Sequence, residues 1–165
     1  MEFLASIHPK IVHFPIAFLM LYPLMELLFL FTGKDFFSKV AMLFLSIGVI
    51  GSFFAVFSGN QAFEFVKNWT DEGKEIFKSH QTFANLTVWY FSALLAVRYF
   101  LFVNKKLNRK IISVIFVLSL FGGYFVYQTG HFGGKLADQV IMNSTSSIEY
   151  EKYILHTKFL TNFIL

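Results

Sequence analysis

Four long apolar stretches constrain the fold of this chain more than any other feature. They cover residues 11–31, 40–57, 83–103 and 111–127. A helix needs roughly 20 mostly apolar residues to cross a bilayer, because each backbone polar group there must be hydrogen-bonded within its own segment. Only 15% of the residues are charged and the mean hydropathy is +0.59, which is too apolar for an ordinary soluble domain. The sequence therefore predicts an all-α, membrane-embedded four-helix bundle.

Polar or glycine-containing breaks separate the stretches, and we expect the second to end at Ser58-Gly59-Asn60 and the last to end at Gly133-Gly134. Thr70 is a candidate N-cap for the third helix. Residues 146–149, Ser-Ser-Ile-Glu, have the pattern of a capping box. We expect the bundle over residues 1–140 and a C-terminal amphipathic helix over residues 141–165, which lies either on the membrane or on another protein. The sequence shows no internal repeat.

The charges of the loops predict the orientation of the chain. The short loops after the first and third stretches hold six Lys or Arg residues and one acid, Asp35. The N-terminus, the middle loop and the tail hold seven lysines and eight acids over many more residues. Because short cytoplasmic loops are enriched in Lys and Arg, we expect a multi-pass protein of the bacterial inner membrane with both termini in the periplasm. The pI of about 9.3 then reflects topology and indicates no nucleic-acid partner.

Histidines are the candidate ligands. In this orientation all five lie on the outer side, and four lie at the ends of apolar stretches: His8, His13, His80 and His131. Imidazole binds haem iron and other metals, and helix bundles place such ligands on facing helices. The absence of Cys excludes disulfides, iron–sulfur clusters and covalently attached haem, but it leaves haem b possible.

We therefore expect a haem b near the outer face, with axial ligands among His13, His80 and His131 and with His8 as a second ligand or a hydrogen-bond partner. The sequence does not decide which pair binds iron. The same three residues, His13, His80 and His131, are the candidate ligands if the site holds another metal. The simpler interpretation is that each histidine lies at the membrane interface as an amphipathic residue.

Small and polar side chains near these histidines suggest room for a flat ligand. The second stretch carries a line of small residues that ends at Gly59, and close helix packing is the alternative explanation for it. In the fourth stretch Tyr124, Gln128 and His131 share one helix face. That face is a candidate wall for a cofactor or for a quinone headgroup. The alternative is a frayed helix end that packs on its neighbours.

Glu26 and Arg98 are the only charged residues within the four stretches. They lie eighteen residues after His8 and His80 respectively, so both are predicted to reach the same depth. A charge inside a membrane is costly unless it is paired or functional. We expect Glu26 and Arg98 to form a structural ion pair. The sequence contains no Walker loop, dinucleotide fingerprint or nucleophile–base–acid series.

The opening residues 8–19, HPKIVHFPIAFL, resemble the signature of an uncharacterised bacterial family of small four-span predicted membrane proteins, known as a domain of unknown function. The resemblance continues with Gly59, with His80 followed by Asn85, and with the run 130–134. It covers most of the chain and departs after residue 134, where relatives often carry a further His-Gly pair. Some relatives look fused or adjacent to cytochrome modules, which points to respiratory electron transfer and leaves open whether this domain or a neighbour binds the haem.

Two functions are open at this point. The first is a membrane b-type cytochrome-like subunit of a respiratory chain that exchanges electrons with quinol and with a periplasmic partner. The second is a non-redox accessory or metal-binding subunit of a larger membrane complex. The expected partners are the lipid bilayer and other membrane or periplasmic redox subunits.

Overall fold

The computed structural model describes the backbone of residues 2–65 and 69–164 and the side chains of residues 7–64 and 69–139. This described backbone is helical and contains no strand. Its helices are α1 (Glu2–Ile11), α2 (His13–Thr32), α3 (Asp35–Phe65), α4 (Asp71–Val103) and α5 (Arg109–Ile164). The predicted all-α class is confirmed.

Four segments are long and apolar enough to cross a bilayer: Ile7–Thr32, Asp35–Glu64, Asp71–Val103 and Arg109–Gln139. Large apolar side chains cover their outer surface, with Phe31, Trp89 and Phe14 each at least two-thirds exposed. A surface of this kind is stable against lipid and unfavourable in water. The predicted four-span bundle is confirmed.

The long helices form a square. Both α2 and α4 pack against α3 and α5, so α2 and α4 lie across one diagonal, and α1 packs on α3. Buried apolar side chains from all four long helices fill the centre, among them Leu19, Leu45, Phe91 and Ile115. The diagonal matters for the site, because side chains of α2 and α4 point toward one another across it.

Helix α1 runs into α2 at Val12, whose backbone is also helical and whose N–H donates to the carbonyl of His8 at 3.2 Å. Proline has no N–H, so Pro15 in the first turn of α2 cannot donate to the carbonyl of Ile11. The ring of Pro15 is buried against Gly51, where an added Cβ would lie 3.4 Å from it. The missing hydrogen bond of Pro15 marks the boundary between α1, which carries His8, and α2, which carries His13.

Two helix ends follow the sequence signals. Gly33 ends α2 in the left-handed conformation with φ 67°, and its N–H donates to the carbonyl of Phe29. Thr70 caps α4 as predicted, because its hydroxyl accepts from the N–H of Gly73 at 3.0 Å.

Two expected helix ends are wrong. Helix α3 continues past Gly59 to Phe65, and α5 continues through Gly133 to Ile164, passing residues 146–149 without a new start. Among the described glycines only Gly33 has a positive φ, and the others fit a helix. The division of the chain at residue 140 stays a prediction, since the side chains of residues 141–165, His156 included, lie outside the described residues.

Candidate functional site

His8 on α1 is held by the facing surface of α3. Its Nδ1 lies 2.9 Å from Oγ of Ser58. The Ser58 hydroxyl can donate to the carbonyl of Ala55 at 3.1 Å, and we therefore assign the hydrogen in its contact with His8 to Nδ1 of the ring. The ring also packs against Gly59, where an added Cβ would lie 2.8 Å from Cε1 of the imidazole. Only glycine leaves room for the ring in this position.

His80 on α4 is held in the same manner by α5. Its Nδ1 lies 2.9 Å from the carbonyl oxygen of Thr129. A carbonyl can only accept, so Nδ1 of His80 carries the hydrogen. An added Cβ at Gly133 would lie 3.2 Å from Cε1 of the ring, which is a tight contact.

Both imidazoles therefore present Nε2 as a lone-pair donor. A neutral imidazole has one N–H and one acceptor nitrogen, and here the hydrogen is on Nδ1 in each ring. Within the described part of the chain, no hydrogen bond engages Nε2 of either ring. His8 and His80 lie at the same end of the bundle, since each precedes one member of the Glu26–Arg98 pair by eighteen residues. Histidines that bind metal are commonly oriented in this way by an oxygen acceptor on the other nitrogen.

The other two predicted ligands, His13 and His131, lie at the surface of the bundle. His131 stacks on Tyr127 with ring centroids 6.2 Å apart. Both rings border a groove of about 340 Å³ between α2 and α5, lined by Ile16, Met20, Val126, Tyr127, Gly130 and His131. Among the described residues, no group of three or more His, Asp or Glu side chains is placed to hold one metal ion. The proposed set of His13, His80 and His131 is therefore not brought together.

The polar face of α5 lies beside the His80 site. Gln128 Nε2 donates to the Tyr124 hydroxyl at 3.1 Å. The half-exposed Tyr124 ring meets Phe83 edge to face at 6.3 Å, and Phe83 follows His80 by about one helical turn. Helix α5 is continuous here, so this face is not a frayed helix end.

Three residues of the site were not identified from sequence as partners of the histidines: Ser58, Thr129 and Gly133. Ser58 adjoins Gly59, which the sequence did single out, and Gly133 belongs to the run 130–134, where the sequence predicted a helix end and not a contact with His80. Thr129 contributes its main-chain carbonyl. Every residue has such a carbonyl, so the sequence gives no signal for this contact.

Glu26 on α2 and Arg98 on α4 meet in the core, across the diagonal of the bundle. Arg98 Nε lies 2.8 Å from Glu26 Oε1, and neither side chain is more than 1% exposed. The Nε–H does not point along this line, so the contact is a charge pair without a well-formed hydrogen bond. Arg98 Nη2 donates to the carbonyl of Ser38 on α3 at 2.9 Å, and the guanidinium lies 6.0 Å from the ring centroid of Tyr22. Arg98 thus connects three helices at one depth.

Neither the curated proteins nor the solved structures include one similar enough to match this chain. A family model described as "Predicted membrane protein (DUF2231)" matches residues 5–145, which include every residue of the site. The protein is therefore a multi-pass membrane protein and belongs to this family of predicted membrane proteins.

Proposed function

We propose that the protein is a membrane b-type cytochrome-like subunit in which His8 and His80 are the axial ligands of one haem b. The observation that carries this proposal is the shared geometry of the two rings, with Nδ1 held by an oxygen of a neighbouring helix and Nε2 free. Bis-histidine haem requires two protein ligands from facing helices, because the porphyrin supplies the other nitrogens. Two imidazoles held in this way match that requirement.

The surrounding residues have defined roles in this proposal. Ser58 Oγ and the Thr129 carbonyl fix the tautomer and the orientation of the rings and make Nε2 a better donor. Gly59 and Gly133 leave the space that the rings occupy. When bound, haem iron would supply one-electron transfer, which none of the side chains at this site provides alone.

We propose that a membrane quinol is the electron donor. The groove beside His131 supports this, since it is lined by apolar side chains, lies between two spans and has an imidazole at its border. The hydrogen-bonded pair of Tyr124 and Gln128 lies next to His131 on the same helix and adds polar groups for a headgroup. A quinol reaching this groove from the bilayer would contact α5, the helix whose Thr129 carbonyl accepts the hydrogen bond of His80.

We also propose that the histidine end of the bundle faces the periplasm of the bacterial inner membrane and delivers electrons to a redox partner there. The opposite end of the bundle carries Lys34, Lys39, Lys105 and Lys106, as the cytoplasmic side of a membrane protein does.

The test is an oxidised-minus-reduced visible spectrum of the protein purified in mild detergent after expression with ample haem. We expect a b-type spectrum that is lost in His8→Ala and in His80→Ala. The matched controls are His13→Ala and His131→Ala, which remove exposed imidazoles and should keep the spectrum. A folded but colourless wild type would overturn the proposal and would favour an accessory or metal-binding subunit, which a metal assay then distinguishes.

A further inference from the structure

We propose that residues 8–59 and 80–133 are two copies of one helical hairpin, related by a pseudo-two-fold axis along the bundle. We further propose that the ligand of the histidine pair lies on this axis and receives one imidazole from each copy. The part of the inference that concerns the ligand rests on the proposed function, whereas the equivalence of the two hairpins rests on packing alone.

The buried positions of the first helix of each hairpin recur at one spacing. Four buried residues of α2 match four buried residues of α4 that lie 72 positions later: Pro15 with Thr87, Leu19 with Phe91, Tyr22 with Leu94 and Glu26 with Arg98. His8 and His80 are separated by the same 72 residues.

The second helix of each hairpin shows the same recurrence at a spacing of 74 residues. The matched buried pairs are Ala41 with Ile115, Leu45 with Ser119, Gly48 with Gly122 and Ser52 with Val126. The first residues of α3 and α5, Asp35 and Arg109, are also 74 apart. The difference of two residues between the spacings is confined to the turn of each hairpin.

Contacts within the hairpins are equivalent as well. An added Cβ at Gly48 would lie 2.6 Å from Leu19, and an added Cβ at Gly122 would lie 2.7 Å from Phe91, the counterpart of Leu19. Gly59 and Gly133, again 74 apart, pack on His8 and His80.

The turns also correspond. Gly33 and Lys105 are the two residues of the described backbone with positive φ, at 67° and 54°, and they lie 72 residues apart. Each one follows the first helix of its hairpin. A left-handed residue is unfavourable for lysine, so its occurrence at the position equivalent to Gly33 indicates that the turn geometry is shared.

The arrangement of helices fits a two-fold axis parallel to the bundle. Rotation about this axis exchanges α2 with α4 and α3 with α5. The packing of α2 on α5 must then have an equivalent in the packing of α3 on α4, and both contacts are present. Each hairpin begins at the same end of the bundle, as in parallel repeats of membrane proteins. A residue touches its own counterpart only on the axis. Glu26 touches Arg98, so the axis passes between them.

The same axis passes between His8 and His80, which are counterparts and pack on the equivalent glycines Gly59 and Gly133. A ligand placed there meets the same donor from each side. Haem suits this position because its two faces bind axial ligands equivalently. The two imidazoles are thus expected to contribute equally to binding, although the sequences around them differ.

The ligand part is tested in the full chain with His8→Gly and His80→Gly, each supplied with haem and then titrated with free imidazole. We expect both variants to lose the spectrum of bis-histidine haem and to regain it, with half-restoring imidazole concentrations within about threefold of each other. His13→Gly, which removes an exposed imidazole outside the proposed sites, is the control and should keep the original spectrum. The position of the ligand on the axis would be overturned if only one variant lost the spectrum. It would also be overturned if the half-restoring imidazole concentrations differed by more than about tenfold.

The hairpin equivalence is tested without any ligand by exchanging the charges on the axis. In Glu26→Arg/Arg98→Glu the new arginine at position 26 should reach the carbonyl of Ile112, the counterpart of Ser38, and the unfolding temperature should return close to that of the wild type. Either single change places two like charges together and should lower it. An exchange variant no more stable than the single variants would overturn the equivalence.

The two tests separate the possible failures. A wild type that binds no haem overturns the proposed function and the axial ligand together. In that case the charge exchange still decides whether the two hairpins are equivalent.

Discussion

Arg98 Nε lies 2.8 Å from Glu26 Oε1 at the centre of the bundle, and both side chains are withdrawn from solvent and from lipid. Removing one partner of such a pair leaves a buried charge without compensation, whereas replacing both partners removes the cost of burying them. The free energy of unfolding should therefore respond differently to single and double substitutions.

We expect Arg98→Met to lower the free energy of unfolding by about 3–5 kcal/mol, because Glu26 then remains alone in the core. Glu26→Gln/Arg98→Met should recover most of this loss. Denaturant unfolding in detergent, followed by circular dichroism, measures both. Lys74→Ala is the control, since it removes an exposed pair with Asp71 and should leave stability unchanged. An Arg98→Met variant as stable as Lys74→Ala would show that the buried pair does not stabilise the bundle.

The glycines beneath the two imidazoles give a second prediction. In Gly59→Ala the added Cβ would lie 2.8 Å from the His8 ring, so the ring must move and haem affinity should fall by about 10–100-fold. Gly133→Ala, with a looser contact to His80, should act in the same direction and less strongly.

The matched control for both is Gly130→Ala, because no other atom lies within 4 Å of a Cβ added there. This change should keep haem affinity and raise stability by up to about 1 kcal/mol, since alanine favours a helix over glycine. Haem titration followed by absorbance measures the affinities, and equal losses in all three variants would contradict the role of the glycines.

The hydroxyl of Ser58 orients His8, which gives a third prediction. Ser58→Ala removes the acceptor of the His8 Nδ1 hydrogen, and we expect about 10–100-fold weaker haem binding with the fold retained. Ser113→Ala provides the comparison, since the exposed Ser113 hydroxyl bonds only to its own helix. Binding that is unchanged in Ser58→Ala would mean that packing on Gly59 alone orients the ring.

The orientation can be measured directly because the chain has no native Cys. We expect Lys34→Cys and Lys105→Cys to be protected from a membrane-impermeant maleimide in intact cells and to react after lysis. Glu72→Cys, at the start of α4, should react in both conditions. The reverse pattern would place the histidine end of the bundle in the cytoplasm.

The sequence predicted the spans, the cap at Thr70 and the meeting of Glu26 with Arg98, since length, residue type and spacing determine these features locally. It failed at Gly133, because this glycine keeps a helical backbone instead of the left-handed conformation that ends α2 at Gly33. At Gly133 the missing side chain instead admits a ring from another helix.

The sequence also left the choice among the four histidines open. His8 and His13 are five residues apart, which places them on different faces of a helix, and only the packed structure shows that His8 is the one that packs against Gly59. The recurrence of the hairpin was missed because counterparts differ in type, as with Pro15 and Thr87 or Glu26 and Arg98. What recurs is burial and contact, which only the packed structure displays.

The opposite charges at positions 26 and 98 also determine which hairpins can associate. If the first hairpins of two neighbouring chains paired about this axis, two carboxylates would meet in the core, and two second hairpins would bring together two guanidinium groups. A first hairpin is complementary only to a second one. Each chain therefore carries both complementary hairpins. If two molecules exchanged hairpins, each resulting bundle would still have to contain one first hairpin and one second hairpin.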